Sequence, residues 1–174
     1  VIVTNSSDLC ENLKLLRNHG LSDRNTVELL GYNSRLDTLQ AVVGSWLLPQ
    51  AENITQKRIY NAEYLDRHLS VLKKIRIPPR LPGFRNVYHL YIVFSEDRDN
   101  LLEYCLKMGV EAKIHYPVPI YRQPGLGSFQ SESSRFPVTD DHAKTMISLP
   151  CHQYLMQGEL DYMIQVIREF FGQN

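Results

Sequence analysis

The sequence predicts an α/β fold in which a long helical connector leads into a small layer of antiparallel strands covered by helices. Apolar residues recur at helical spacing from residue 35 to about residue 69, which predicts the connector. After Leu72 the pattern changes to short β-branched and alternating runs separated by prolines and glycines. This change predicts a layer of three or four mainly antiparallel strands with helices between them.

Each element has its own local signal. Residues 1–3 form a β-branched run that predicts a strand, and residues 5–8 then provide the N-cap of a helix that should reach Gly20. Pro49 should kink the connector or divide it into two helices. The sequence further predicts strands at 73–77, 87–94 and 110–115 and helices at 97–108, 139–146 and 157–171. Residues 117–137 carry four prolines, which predicts a long loop.

Composition narrows the possible partners and the cellular compartment. The 19 basic and 19 acidic residues balance, so we expect neither a nucleic-acid partner nor a membrane partner. No apolar run reaches the roughly 18 residues of a membrane span, and no charged leader precedes the first strand. Three cysteines without CxxC spacing suit a reduced, cytoplasmic protein. We expect no metal site, because adjacent residues such as Cys151 and His152 rarely converge on one ion.

Two stretches at the ends of predicted elements are polar, whereas residues that form a core would be apolar. In the first, a loop led by Gly31 delivers the Asn33 amide and the Arg35 guanidinium where a helix begins, a place suited to holding phosphate. Asn33 could instead be the N-cap of that helix, and Arg35 an ordinary surface residue.

The second stretch places His115 and Tyr116 at the end of a predicted strand that prolines then stop. An imidazole and a phenol can bind hydroxyl and phosphate groups, whereas a core tyrosine and a structurally satisfied histidine are the alternatives. Adjacent strand residues face opposite sides, so at most one of the two can point into a core. His89 is interpreted as a structural histidine within a strand, and His19 and Arg122 remain further candidates.

These stretches occur in a recognisable order. Val1-Ile2-Val3-Thr4-Asn5 comes first, followed by Leu16-Arg17-Asn18-His19-Gly20, the Asn33 and Arg35 stretch, the His115 stretch, Phe136-Pro137 through Ile147-Ser148-Leu149-Pro150, and Glu159-Leu160-Asp161-Tyr162. In this the chain resembles the C-terminal portion of the DegT/StrS-type sugar-nucleotide aminotransferases, which have aminotransferase fold type I. The resemblance implies that residues 1–30 are the tail of a large cofactor-binding domain, 31–72 a helical connector at a dimer contact, and 73–174 a small C-terminal α/β domain.

The resemblance also implies a chemistry. Such enzymes use pyridoxal 5'-phosphate to move an amino group from an amino acid, usually glutamate, onto a keto-sugar nucleotide. The resemblance implies a homodimer in which Asn33 reaches across to the cofactor phosphate of the neighbouring subunit. Arg35 would face the site that the two subunits share. His115 and Tyr116 would lie near the sugar nucleotide.

None of the chain's lysines lies in the context that the resemblance implies, a Ser-x-x-Lys followed by a Gly-rich turn. That motif is expected about ten residues before Val1. We therefore expect no catalytic residue in this chain and no activity from it alone. Two alternatives stay open: a non-catalytic dimerisation or binding module of the same fold, and part of a pyridoxal-phosphate-dependent sugar dehydratase. The sequence does not specify the nucleotide, the ring carbon or the stereochemistry.

Overall fold

The computed structural model describes residues 2–125 and 136–172. The chain divides into two compact units, Val1–Gln50 and Ala51–Asn174. The division falls inside the predicted connector, residues 31–72, and not at either of its ends. Within the predicted loop at 117–137, residues 126–135 lie outside the described part of the chain.

The first unit begins with helix α1, Ser7–Leu16. The Ser6 hydroxyl accepts a hydrogen bond from the Leu9 N–H at 3.2 Å, which confirms the predicted N-cap. The helix ends four residues before the predicted Gly20, because the chain after Leu16 pairs instead with the segment around Asn33. The strand predicted at residues 1–3 is wrong for Ile2 and Val3, which are exposed and find no strand partner among the described residues.

The predicted break at Pro49 is confirmed. Helix α2 covers Thr38–Leu47, a 3-10 turn covers Leu48–Gln50, and helix α3 covers Ala51–Leu69. Proline lacks the N–H that an α-helix needs in its interior, so the helical hydrogen-bond ladder cannot continue through it. Helix α2 starts at Thr38 and not at Arg35, because Asp37 is its N-cap and donates its own N–H to the Gln40 side chain at 3.3 Å.

The second unit contains a two-stranded antiparallel sheet. Strand β1, Tyr91–Phe94, pairs with β2, Met146–Leu149, with Tyr91 opposite Leu149 and Phe94 opposite Met146. One backbone bridge flanks the pair on each side, Arg76 to Phe94 and Lys113 to Ser148, and both are antiparallel. The α/β class and the antiparallel pairing are therefore confirmed.

The predicted number and lengths of the strands need correction. The strands expected at 73–77 and 110–115 contribute one bridge each, and the strand expected at 87–94 is reduced to Tyr91–Phe94. Pro78 and Pro79 follow the first of these segments and cannot donate to a ladder, which limits its pairing. Strand β2 was not predicted, since its first residue continues the apolar pattern of the preceding helix.

The remaining helices lie close to their predicted positions. Helix α4 covers Arg98–Lys107, α5 covers Pro137–Thr145 and α6 covers Gln157–Phe170. Gly109 has a φ of +79°, the left-handed conformation expected of a glycine just past a helix end. Helix α6 packs against both α3 and α4. Completely buried core side chains come from α3, β1, α4 and α6 and include Leu65, Leu69, Tyr91, Val93, Leu101, Cys105, Val166 and Ile167.

A polar network joins α3 to β1 inside this unit. Asp66 receives two hydrogen bonds from the Arg80 guanidinium, each 2.9 Å long, and a third from the Tyr91 hydroxyl at 2.8 Å. Burial, together with the nearby Asp66 carboxylate, holds the pKa of Tyr91 far above its usual range. The phenol therefore stays protonated near neutral pH and donates its hydrogen to Asp66.

We expect Asp66→Ala to lower the free energy of unfolding by about 2 kcal/mol, because it leaves the buried Tyr91 hydroxyl without its acceptor. Urea denaturation of the 174-residue chain measures the change. Glu52→Ala is the matched control, because it removes an ion pair with Arg85 whose partners are both at least half exposed. A loss no larger for Asp66→Ala than for Glu52→Ala would contradict a structural role for the network.

The three cysteines are expected to differ in reactivity. Burial raises the pKa of the Cys105 thiol to about 11 and that of the Cys151 thiol to about 12. At pH 8 only about one Cys105 in a thousand, and fewer Cys151, would be the reactive thiolate. Cys10 is partly exposed. Mass analysis after brief iodoacetamide treatment should therefore show one labelled thiol, Cys10, in the folded chain and three labelled thiols in urea. Equal labelling of all three thiols in the folded chain would contradict this prediction.

None of the helices within residues 2–125 and 136–172 combines the length with the apolar character that crossing a membrane requires.

Candidate functional site

The segment that carries Asn33 is held by backbone pairing with the residues after α1. The His19 N–H donates to the Tyr32 carbonyl at 2.8 Å, and the Ser34 N–H donates to the Arg17 carbonyl at 2.9 Å. An antiparallel bridge between Asn18 and Asn33 lies between these two bonds. Asn33 therefore sits on a fixed backbone although it belongs to a loop.

Two glycines permit this close pairing. A Cβ on Gly31 would lie 2.2 Å from the Gly20 nitrogen, and a Cβ on Gly20 would lie 1.7 Å from the Leu29 carbonyl oxygen. Gly20 also has a φ of +74°, a backbone conformation that residues with a Cβ rarely adopt. Any side chain at either position would push the Asn33 segment away from α1.

Asn33 lines a groove of about 880 Å³ in the first unit. Its side chain is exposed, and the side-chain hydrogen bonds of this segment are made by Arg35 and by Asp37 with Gln40. Because Asp37 is the N-cap of α2, Asn33 does not have the capping role that was its alternative. Its amide is left available to a ligand.

Arg17 lines the same groove and was missed as a candidate. Its guanidinium is exposed and forms no ion pair in the described part of the chain. A guanidinium and an amide on one groove are donors suited to a phosphate. The available sequence signal was its place in the Leu16-Arg17-Asn18-His19-Gly20 stretch. In the structure the next residue, Asn18, lies opposite Asn33.

Arg35 is tied to the protein itself. Its Nε donates to the Asn18 Oδ1 at 3.1 Å, and a second guanidinium nitrogen donates to the same oxygen. It is not among the residues that line the groove. Arg35 thus braces the segment that holds Asn33, and only the part of its guanidinium that is not bound to Asn18 remains for a substrate.

His115 and Tyr116 lie in the second unit, beyond the bridge from Lys113 to β2. The His115 Nδ1 is 3.0 Å from the Ser148 hydroxyl, and the two adjacent rings meet edge to face with centroids 5.7 Å apart. His115 is half-buried, whereas Tyr116 is 74% exposed. Neither belongs to the core, so the alternative of a core tyrosine is wrong.

A cleft of about 640 Å³ opens beside His115. Its walls come from β2, from the 109–115 segment and from the start of α6, and His152 contributes to it. Lys113 pairs with Glu111 on this wall at 2.6 Å, and that hydrogen bond lowers the pKa of the Glu111 carboxyl. The cleft therefore combines imidazole groups with a compensated charge pair, a surface suited to a polar ligand.

His89 needs a correction. It was interpreted as a structural histidine within a strand, but β1 begins only at Tyr91, and His89 is exposed and lines the same cleft as His115. The Arg58 guanidinium, which donates to the carbonyls of Tyr88 and His89 at 2.9 and 3.4 Å, holds this turn. The alternating pattern predicted a strand from residue 87, but a bend occupies the residues just before Tyr91, where the strand begins.

The two weaker candidates differ in their surroundings. Arg122 forms an ion pair with Asp140 at 2.7 Å, and Tyr121 donates to the same carboxylate. The Tyr121 hydrogen bond, with a contribution from Arg122, lowers the pKa of Asp140. Arg122 is therefore part of a local network, whereas His19 is exposed with a φ of 59°.

The lysines also need one qualification. The bare Ser-x-x-Lys spacing does occur once, from Ser70 to Lys73. Lys73 is exposed just past the end of α3 and is followed by Lys74 and Ile75, not by a Gly-rich turn. No group of three or more His, Cys, Asp or Glu side chains within the described residues is arranged to hold a metal ion.

The fold and these residues together define a class of protein. The structure matches fold type I sugar aminotransferases: DesV of S. venezuelae in complex with a ketimine intermediate has a TM-score of 0.94 at 30% identity, over 99% of this chain and 46% of that one. A DegT DnrJ EryC1 StrS aminotransferase from Brucella abortus has a TM-score of 0.90 at 29% identity, over 98% of this chain and 45% of that one. The chain belongs to the DegT/DnrJ/EryC1/StrS aminotransferase family, which it matches over residues 1–168.

Relatives of known sequence match the chain over similar shares of their own length. The dTDP-3-amino-3,4,6-trideoxy-alpha-D-glucose transaminase of Streptomyces venezuelae is 32% identical over 97% of this chain and 45% of its own length. The Pleiotropic regulatory protein of Geobacillus stearothermophilus is 30% identical over 98% of this chain and 46% of its own length. The chain thus spans about half the length of the relatives it matches, which agrees with the expected C-terminal portion.

Proposed function

We propose that this chain is the C-terminal portion of a pyridoxal-phosphate-dependent aminotransferase that transfers an amino group, from glutamate, to a keto-sugar nucleotide. The observation that carries the proposal is the family match over residues 1–168 together with relatives named as nucleotide-sugar transaminases. The structural support is a groove in one unit, lined by Asn33, and a cleft in the other, lined by His115. The sequence had singled out both residues.

The residues of the first unit fit the phosphate of the cofactor. Asn33 offers an amide for which the described residues provide no side-chain hydrogen-bond partner, and Arg17 offers a guanidinium on the same groove. When bound, pyridoxal phosphate supplies the electron sink that amino transfer requires. Asn33 and Arg17 would hold its phosphate, and Arg35 would keep the Asn33 segment in place while facing the substrate with its remaining donors.

His115 and Tyr116 would bind the sugar nucleotide in the second unit. The cleft beside His115 is lined by imidazoles and a compensated ion pair, and Tyr116 presents an exposed hydroxyl close to it. Such groups recognise hydroxyl and phosphate oxygens by hydrogen bonds rather than by net charge. The balanced charge of the whole chain is compatible with that mode of recognition.

A second subunit of the full-length enzyme would complete the site. Helix α2 has no buried residue in this structure, and its exposed apolar side chains include Leu39, Val42 and Trp46. An apolar face of this kind is typical of an interface. We therefore assign residues 31–72 to a homodimer contact, residues 1–30 to the cofactor domain and residues 73–174 to the small domain, and we expect the enzyme in the cytoplasm.

The test is an assay of the full-length enzyme with pyridoxal phosphate, glutamate and dTDP- or UDP-linked keto-sugars. We expect formation of the amino sugar and of 2-oxoglutarate in equal amounts. Loss of a hydroxyl group from the sugar would indicate the dehydratase instead, and no reaction with any substrate would favour a binding module.

The isolated 174-residue chain is the control in the same assay. It should produce no amino sugar, and reduction with borohydride in the presence of pyridoxal phosphate should leave no pyridoxyl adduct in its mass spectrum. A stoichiometric adduct, on Lys73 for example, would overturn the expectation that the catalytic lysine lies elsewhere.

A further inference from the structure

Ser148 occupies the middle of β2 and is 4% exposed. Its backbone is fully engaged with Lys113, since its N–H donates to the Lys113 carbonyl at 2.8 Å and its carbonyl accepts from the Lys113 N–H at 3.0 Å. The bridge fixes the backbone two residues before His115. The Ser148 hydroxyl then meets the His115 Nδ1 at 3.0 Å.

The surroundings of the hydroxyl decide which group donates. A serine hydroxyl has one hydrogen to give, and within the described residues its one hydrogen-bond partner is the His115 ring. If Nδ1 carried the proton, the serine oxygen would accept that hydrogen bond, and the hydrogen of this nearly buried hydroxyl would have no acceptor among the described residues, an arrangement that proteins avoid. The hydroxyl therefore donates to Nδ1, and the proton of the neutral imidazole lies on Nε2.

We propose that Ser148 is a positioning residue that holds His115 as the Nε2–H tautomer, so that the imidazole presents a hydrogen-bond donor to the cleft. The recognised group is then an acceptor oxygen, in a phosphate, hydroxyl or carbonyl group of the sugar nucleotide. His115 acts as a donor in binding and not as a general base. The identity of this ligand rests on the proposed function, whereas the tautomer does not.

The charged side chains that line the cleft are engaged with the protein itself. The Arg58 guanidinium is occupied by the Tyr88 carbonyl and by the Gln153 side chain, at 2.9 and 3.2 Å. Lys113 is paired with Glu111. Glu159 accepts the Met156 N–H at 2.7 Å, as the first turn of α6 requires. The cations and carboxylates that line the cleft thus already have protein partners, whereas the Nε2 of His115 has none among the described residues.

Nitrogen-15 NMR of the histidine-labelled 174-residue chain tests the tautomer directly, with His115→Gln to assign the resonance. We expect the His115 Nε2 to be protonated and Nδ1 to have the shift of an unprotonated nitrogen that accepts a hydrogen bond. A protonated Nδ1 in the unmodified chain overturns the proposal, and this measurement needs no variant to fold.

Variants then test the role of the hydroxyl. Ser148→Ala should move the Nδ1 resonance toward that of a free ring nitrogen, and Ser148→Thr should restore it. Ser95→Ala is the matched control, because Ser95 is an equally buried serine whose hydroxyl accepts from the Asp97 N–H instead. An unchanged Nδ1 resonance in Ser148→Ala overturns the assignment.

Kinetics of the full-length enzyme separate this proposal from the proposed function. Ser148→Ala should raise KM for the keto-sugar nucleotide about three- to tenfold, the usual effect of one neutral hydrogen bond, with kcat within about twofold. Ser148→Thr should recover the original KM. If the NMR result holds and KM does not change, Ser148 positions His115 but the sugar-nucleotide role of His115 is wrong.

Discussion

Asn33→Ala in the full-length enzyme is expected to weaken cofactor binding by about 1 to 3 kcal/mol, the usual loss of one hydrogen bond to a charged group. That loss corresponds to a roughly 5- to 150-fold increase in Kd. The physical reason is the exposed Asn33 amide, which has no protein partner in its segment and lines the groove that Arg17 also lines. Titration of the apoenzyme with pyridoxal phosphate measures the change.

The chemistry of the cofactor provides an internal control. Pyridoxal lacks the phosphate, so its affinity should be nearly the same in Asn33→Ala and in the unmodified enzyme. Asn33→Asp should bind pyridoxal phosphate more weakly than Asn33→Ala, because a carboxylate repels the phosphate. Asn25→Ala is the matched control, since Asn25 is exposed in the neighbouring loop and does not line the groove. Unchanged affinity for pyridoxal phosphate in Asn33→Ala would exclude the contact.

The dimer part of the proposal has its own test. If Asn33 serves the neighbouring subunit, a mixed dimer of an Asn33→Ala protomer and a protomer without the catalytic lysine contains one site with both groups intact. Random mixing would then recover about one quarter of the original activity. If Asn33 acts within its own subunit, no intact site forms, and the mixture has only the average activity of the two variants at the same limiting concentration of pyridoxal phosphate.

His115→Ala is expected to raise KM for the sugar nucleotide about ten- to hundredfold, the range expected when a donor to a phosphate or a polar sugar group is lost. The half-reaction with glutamate should change by less than about twofold, because the amino acid does not require the cleft beside His115. Single-turnover measurements of each half-reaction separate the two effects.

Two further variants sharpen this experiment. Tyr116→Phe removes only an exposed hydroxyl and tests the neighbouring phenol separately. His68→Ala is the control, because His68 lies on α3 and stacks on Tyr64 away from the cleft. Equal damage to both half-reactions would point to a folding defect, and no effect on either would remove His115 from the site.

Local signals predicted most of the helices. Ser6 was available as an N-cap, Pro49 had to interrupt the connector, and Gly109 could end α4 in a left-handed conformation. Such features depend on the conformational limits of single residues and on hydrogen bonds only a few positions apart. They can be read without knowing what packs against the helix.

The strands were predicted less well, because a strand exists only through its partner. Segments 73–77 and 110–115 have strand-like composition, but each forms one bridge. Met146 follows a helix without a break in the apolar pattern, and yet it begins β2 because Phe94 lies opposite it. His89 was interpreted as a structural histidine within a strand for the same reason, since alternation alone does not show where pairing begins.

By itself the sequence determined the approximate positions of the helices, the family resemblance and the choice of Asn33, Arg35, His115 and Tyr116, because each of these depends on neighbouring residues or on a motif. Only the tertiary structure decided that Arg17 lines the groove with Asn33, that Arg35 bonds to Asn18, and that Ser148 bonds to His115. These pairs are 16, 17 and 33 positions apart in the chain. Backbone pairing between distant segments brings these residues together, and no local pattern specifies which distant segment will pair with which.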